Sequence, residues 1–145
     1  MLEHHFWEKF RKWIPHRDVD EVYDVEKIGF EREEGFVVLL RPDHFQEEKR
    51  SEWALRLVWD RVVSYTVTDE SYRPELWVSE KTPNQEIWTF YLSETSDHLT
   101  RFREENYLVP EETHHFFICG TNLMADILSD EYPTVTFLKW DSKLQ

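Results

Sequence analysis

The chain has 145 residues, 40% hydrophobic and 16% aromatic, with 17 basic against 30 acidic side chains. That aromatic share excludes a disordered chain, and the length suits one domain, residues 1–145, with a core of its own. A formal charge of −13 opposes nucleic acid and anionic membrane surfaces and favours a basic protein as partner.

The amino terminus, MLEHHFWEKFRKW, carries charges throughout and does not read as a signal peptide. Phe6, Phe10, Trp13 and Ile14 fall at helical spacing, with Glu early and Lys/Arg late. This predicts an amphipathic helix over Leu2 to Ile14, stopped by Pro15. An acidic stretch follows, and within it Ile28 and Phe30 predict a strand near Val25–Glu31. Arg32-Glu33-Glu34-Gly35 reads as a hairpin loop in which Gly35 supplies positive φ. Phe36 to Leu40 is a short apolar run, expected to be a strand covered on both faces, and Asp43 to Glu52 a polar connection.

Trp53 to Thr68 alternates between an apolar set of odd positions and a mixed, largely polar set of even ones. A period of two predicts a half-buried strand, and unbroken parity predicts one long strand with a bulge at Asp60-Arg61. A tight hairpin there is disfavoured, because neither residue is Gly or Asn. Leu76-Trp77-Val78 reads as a cover or short strand, and Glu86 to Leu92 as a further strand. A helix is predicted to begin near Ser93–Ser96, capped by Ser93, Thr95 or Ser96, with Leu99, Phe102 and Tyr107 on its apolar side. His115 to Cys119 is expected to be a strand. Gly120-Thr121-Asn122 then starts a helix carrying Leu123, Met124, Ile127 and Leu128, and Thr134 to Trp140 is a final strand. The sum is an α+β domain. It has about six strands in a mostly antiparallel sheet, an N-terminal helix, two helices in the C-terminal half, and a terminal βαβ unit as an option.

The chemistry is sparse. A single cysteine, Cys119, excludes an internal disulfide, which with the amino terminus points to a cytoplasmic protein. His114 and His115 are neighbours on a strand and face opposite sides, so no metal site is expected. Nucleotide and nucleophile-elbow motifs are absent, so neither a cofactor nor a catalytic residue is expected. Two kinds of site remain. One is a binding surface of carboxylates and an aromatic anchor: Asp69 and Glu70 at the end of the long strand, Trp77, and the Glu31, Glu33 and Glu34 loop. The other is a small-molecule or enzymatic pocket between sheet and helices, lined by Trp59, Tyr65, Trp88 and His115. Self-association through an exposed edge strand is a third option.

Tyr65 with Thr68-Asp69-Glu70, the run from His115 to Cys119, Asp126-Ile127-Leu128 and Pro133 resemble a group of small acidic bacterial proteins. Some of that group resemble immunity proteins encoded beside secreted polymorphic toxins. The resemblance implies a binder that masks a basic partner, such as a toxin nuclease.

Overall fold

Aromatic and β-branched residues concentrate in short runs, and these become strands in the computed structural model, which describes residues 6–42, 53–72 and 88–139. Nine strands lie among those residues: β1 Arg11–Lys12, β2 Tyr23–Glu31, β3 Gly35–Pro42, β4 Trp53–Trp59, β5 Ser64–Asp69, β6 Phe90–Ser93, β7 His114–Cys119, β8 Leu123–Ser129 and β9 Thr134–Lys139. They form two antiparallel sheets, one in the order β1-β6-β7-β8-β5 and the other β2-β3-β4-β9. One α-helix, α1, covers Asp97–Glu105.

The sheets bury their facing sides against each other. Phe90, Leu92, Phe116, Ile118, Ala125 and Ile127 of the five-stranded sheet meet Tyr23, Phe36, Val38, Leu55, Leu57 and Trp59 of the four-stranded one. Alternate residues do this work, as the pleat requires. The five-stranded sheet is also covered behind. Tyr91, Phe117 and Met124 point outward beneath Trp7 and Phe10, and Leu99 of α1 is buried. Strands β6, β7 and β8 are therefore apolar on both faces, whereas β5 is largely exposed.

Polar clasps join the sheets at one end. Asn122, in the β7–β8 turn, accepts from Val25 N–H at 2.9 Å and donates to Val25 C=O at 2.8 Å. Thr89 Oγ1 accepts from Tyr23 N–H and donates to Glu21 C=O. These bonds satisfy backbone groups on the outer side of β2, where the pairing with β3 bulges between Val25 and Lys27.

Several expectations are corrected. The fold is mostly β, with one helix among the described residues, so it is not a six-stranded α+β sheet with three helices. The amino terminus forms a 3-10 turn, Phe6–Lys9, then the short β1. Its aromatic spacing reflects a plug over the sheet rather than a helical stripe. Residues 123–129 form β8, antiparallel to β7, which removes the terminal βαβ unit. Strand β9 joins the other sheet, beside β4. The long strand is two strands in different sheets, since Trp59 pairs with Phe36 and Ser64 with Leu128. Asp60–Val63 is a crossing between layers and not a bulge. Tyr107 lies beyond the end of α1, fully exposed. The expected hairpin after β2 is present, with Glu33 at φ 69° and Gly35 at φ 122°. Leu76-Trp77-Val78, the connection from Asp43 to Glu52, and Glu86-Ile87 lie outside the described residues. No described helix is long and apolar enough to cross a membrane.

Tyr23 makes the packing of the core measurable. Burial pushes its phenol up to about 12, while Asp20 N–H donates to the oxygen at 2.9 Å. An unfolded tyrosine ionises near pH 10. Between the two values the folded protein holds a proton that the unfolded chain has lost. Its contribution is thus complete below about pH 10 and falls as the pH rises towards about 12, a loss on the order of 3 kcal/mol. Urea unfolding across that range should show a steeper alkaline decline for the native chain than for Tyr23→Phe.

Candidate functional site

Two polar constructions stand out, one buried and one at the surface. The buried one lies behind the five-stranded sheet. His115 on β7 pairs across with Leu128, so Asp126 on β8 is its diagonal neighbour on the same face. His115 Nε2 lies 2.7 Å from Asp126 Oδ1, and Nδ1 lies 2.7 Å from Ser96 Oγ. With the proton on Nε2 directed at the carboxylate, Nδ1 accepts the Ser96 hydroxyl, and every ring nitrogen is satisfied. Ser96 is also the N-cap of α1, its oxygen accepting from Leu99 N–H at 3.0 Å.

A serine, a histidine and an aspartate in a row invite comparison with a nucleophilic triad, but the geometry argues for another role. In such a triad the hydroxyl faces Nε2 and the carboxylate holds Nδ1; here the two are exchanged. All three residues are at most 2% exposed, and the rings of Phe10 and His98 lie against the imidazole at about 5 Å. No substrate reaches that hydroxyl. Three buried hydrogen bonds run from Asp126 on β8 through His115 on β7 to the cap of α1, and the link from His115 to Ser96 fastens the amino end of the helix to the sheet.

The surface construction is the end of the sandwich where that loop emerges. Four connections meet there: the β2–β3 hairpin Arg32–Glu34, the crossing Asp60–Val63, the segment Asn106–Thr113 and the turn Asp130–Pro133. The hairpin abuts the crossing, because Gly35 sits directly against Trp59 C=O. The crossing is tied to the turn through Arg61, whose N–H donates to Glu131 at 2.7 Å and whose guanidinium donates to Asp130 at 2.8 Å. The turn packs where the segment enters β7, the Tyr132 ring lying 5.5 Å from that of His114. These loops carry Glu33, Glu34, Asp60, Glu111, Glu112, Asp130 and Glu131 against Arg32 and Arg61.

Large apolar side chains lie exposed among those charges: Phe30, Tyr65, Tyr107, Leu108 and Tyr132. Phe30 and Tyr65 touch edge to face at 5.7 Å, and Tyr65 also packs on buried Phe36. They sit where the edge strands β2 and β5 of the two sheets come together. An exposed aromatic ledge within an acidic rim has the composition of a protein-binding surface.

The residues singled out from the sequence divide accordingly. Glu31, Glu33 and Glu34 lie at this end. Arg56 from β4 pairs with Glu34 and, at 3.3 Å, with Glu31, so Glu33 is the member left facing solvent without that guanidinium. Asp69 pairs with Leu123 at the far end of β5, about 14 Å along the strand from Tyr65. The Ser71 hydroxyl and N–H hold its carboxyl below the usual range. Glu70 opens the 3-10 turn Glu70–Tyr72 beyond it. The structure does not bring Asp69 to the Glu31–Glu34 loop. Trp77 is outside the described residues.

Of the four proposed pocket residues, Trp59 and Tyr65 both pack on Phe36, while His115 and Trp88 are held elsewhere. Trp59, on the four-stranded sheet, is fully buried between the sheets against Phe116, while His115 faces the outer side of the five-stranded sheet. Trp88 is half-buried, donating to Trp13 C=O at 2.8 Å with Lys12 over its ring. Among the described residues, no three His, Cys, Asp or Glu side chains converge as metal ligands.

Sequence reasoning overlooked the exposed pair Tyr107-Leu108 and the role of Asp126. The first had a readable signal in the flanking Glu104-Glu105 and Glu111-Glu112, which bar the pair from a core-facing helix. The second depends on strand register, which has no local signature. No family model matches the chain, and no curated protein or solved structure matches it either.

Proposed function

We propose that this chain is a non-catalytic protein-binding domain that covers a basic surface on a partner protein, in the manner of an immunity protein. The observation that carries the reading is the acidic loop end of the sandwich, where exposed Phe30, Tyr65 and Tyr132 lie among carboxylates. Carboxylates steer a basic partner and align it, while aromatic side chains supply the contact energy once water is displaced. The overall charge of −13 acts in the same direction at longer range. The resemblance of the sequence to immunity-like proteins adds to this reading and points to a toxin nuclease as the kind of partner.

The test is quantitative. A partner isolated from the native host and purified should be basic. Its Kd should rise at least about tenfold between roughly 0.01 and 0.15 M ionic strength, as the Debye length falls from about 30 to about 8 Å. A neutral or acidic partner, or an affinity indifferent to salt, overturns the proposal.

A further inference from the structure

Tyr107 and Leu108 are 101% and 95% exposed, the fullest exposure of any large apolar side chains among the described residues. They stand on a loop that is held in place. Arg103, in the last turn of α1, donates to Pro110 C=O at 3.2 Å and to Glu111 C=O at 3.0 Å. Asn106 donates its side-chain amide to Phe102 C=O at 2.9 Å, and Thr113 N–H closes the loop on Pro110 C=O at 3.1 Å. At the base of the helix Ser96 is fixed by His115 and Asp126. The backbone of the tip is thus braced, and binding need order only the two side chains it carries.

Its electrostatic setting is predominantly acidic, with the Arg103 guanidinium turned to the loop carbonyls of Pro110 and Glu111. Glu104 and Glu105 precede the tip, Glu111 and Glu112 follow it, and no basic residue lies between them. Glu104 and Glu105 also occupy the carboxyl end of α1, where the helix dipole already places partial negative charge and disfavours carboxylates. That arrangement works against helix stability and concentrates negative potential around two solvated apolar side chains. A cationic rim on a partner complements it.

We propose that Tyr107 and Leu108 are the anchor by which this chain seats on its partner, entering an apolar pocket rimmed by Lys and Arg. The inference rests on the reading above that the partner is a basic protein, and it assigns the principal contact within the acidic end. Carboxylates on both sides of the tip pair with the rim, and the Tyr107 ring fills the pocket.

A disulfide-constrained random peptide library displayed on phage and selected against the full chain supplies the probe. Enriched peptides should combine Lys or Arg with aromatic or long aliphatic residues. Their affinity should fall at least about tenfold for the double variant Tyr107→Ala/Leu108→Ala, as for a hot-spot anchor. It should be unchanged for Tyr72→Ala, which removes an exposed tyrosine at the opposite end. Glu111→Gln/Glu112→Gln should flatten the salt dependence. Both Tyr107 and Leu108 lie in solvent, so their replacement should leave the thermal midpoint unchanged, which a melting curve verifies. Basic, salt-sensitive peptides that ignore the double variant overturn the anchor and leave the basic-partner reading standing. Enriched peptides without basic residues, bound independently of salt, overturn both.

Discussion

Asp126→Ala is expected to destabilise the protein by about 3 kcal/mol or more, a large part of the stability of a domain this size. The substitution strips the acceptor from His115 Nε2 where both groups are at most 2% exposed. A buried polar group left unpaired costs more than an average hydrogen bond contributes. Asp126→Asn keeps an oxygen for the imidazole and should cost distinctly less. Ser96→Ala should cost about 1–2 kcal/mol, through the lost N-cap and the orphaned Nδ1. Urea midpoints at neutral pH order the three. If Asp126→Ala unfolds within about 0.5 kcal/mol of the native chain, the Ser96–His115–Asp126 connection is not what secures α1.

The second large effect is expected at Gly35. Its φ of +122° lies in a region that side-chain-bearing residues rarely adopt, and a Cβ there would overlap Trp59 C=O. The obstruction is backbone of the adjacent β4 and has no flexible end to swing away. Gly35→Ala should therefore cost about 3 kcal/mol or more, since strain and steric overlap act together. The damage should be local to the β2–β3 hairpin. Amide exchange should accelerate in Phe30–Phe36 before it does in β7 and β8. An alanine variant as stable as the native chain would show that the hairpin turn is free to rebuild.

These two positions differ in how far the sequence revealed them. Gly35 was legible, because a glycine after two glutamates and before an apolar run is local turn chemistry. The cap at Ser96 was legible among three alternatives for the same reason. The alternation of Trp53 to Thr68 correctly implied β structure. Parity, however, is preserved when a chain crosses from one sheet to another, so the break at Asp60–Val63 left no mark on it. The error at Leu123–Leu128 has a physical source as well. Strand β8 is buried on both faces, so its apolar residues lose the alternation of a half-exposed strand and mimic a helical stripe. The same covering misled the reading of Phe6, Phe10 and Trp13. Their role is to plug the back of a sheet, and that need does not exist until the sheet does. The approach of His115 to Asp126, and the gathering of four loops at one acidic end, follow from register and topology rather than from any local run of residues.

The order of the strands has a consequence for synthesis. β1 pairs with β6, and β4 with β9, each across about eighty residues of chain. During translation the four-stranded sheet lacks its outer member until residues 134–139 have left the ribosome. Until then the backbone edge of β4 that residues 134–139 later cover has no partner strand. The nascent protein therefore passes through an interval in which a chaperone or a neighbouring chain can occupy the place that β9 later fills.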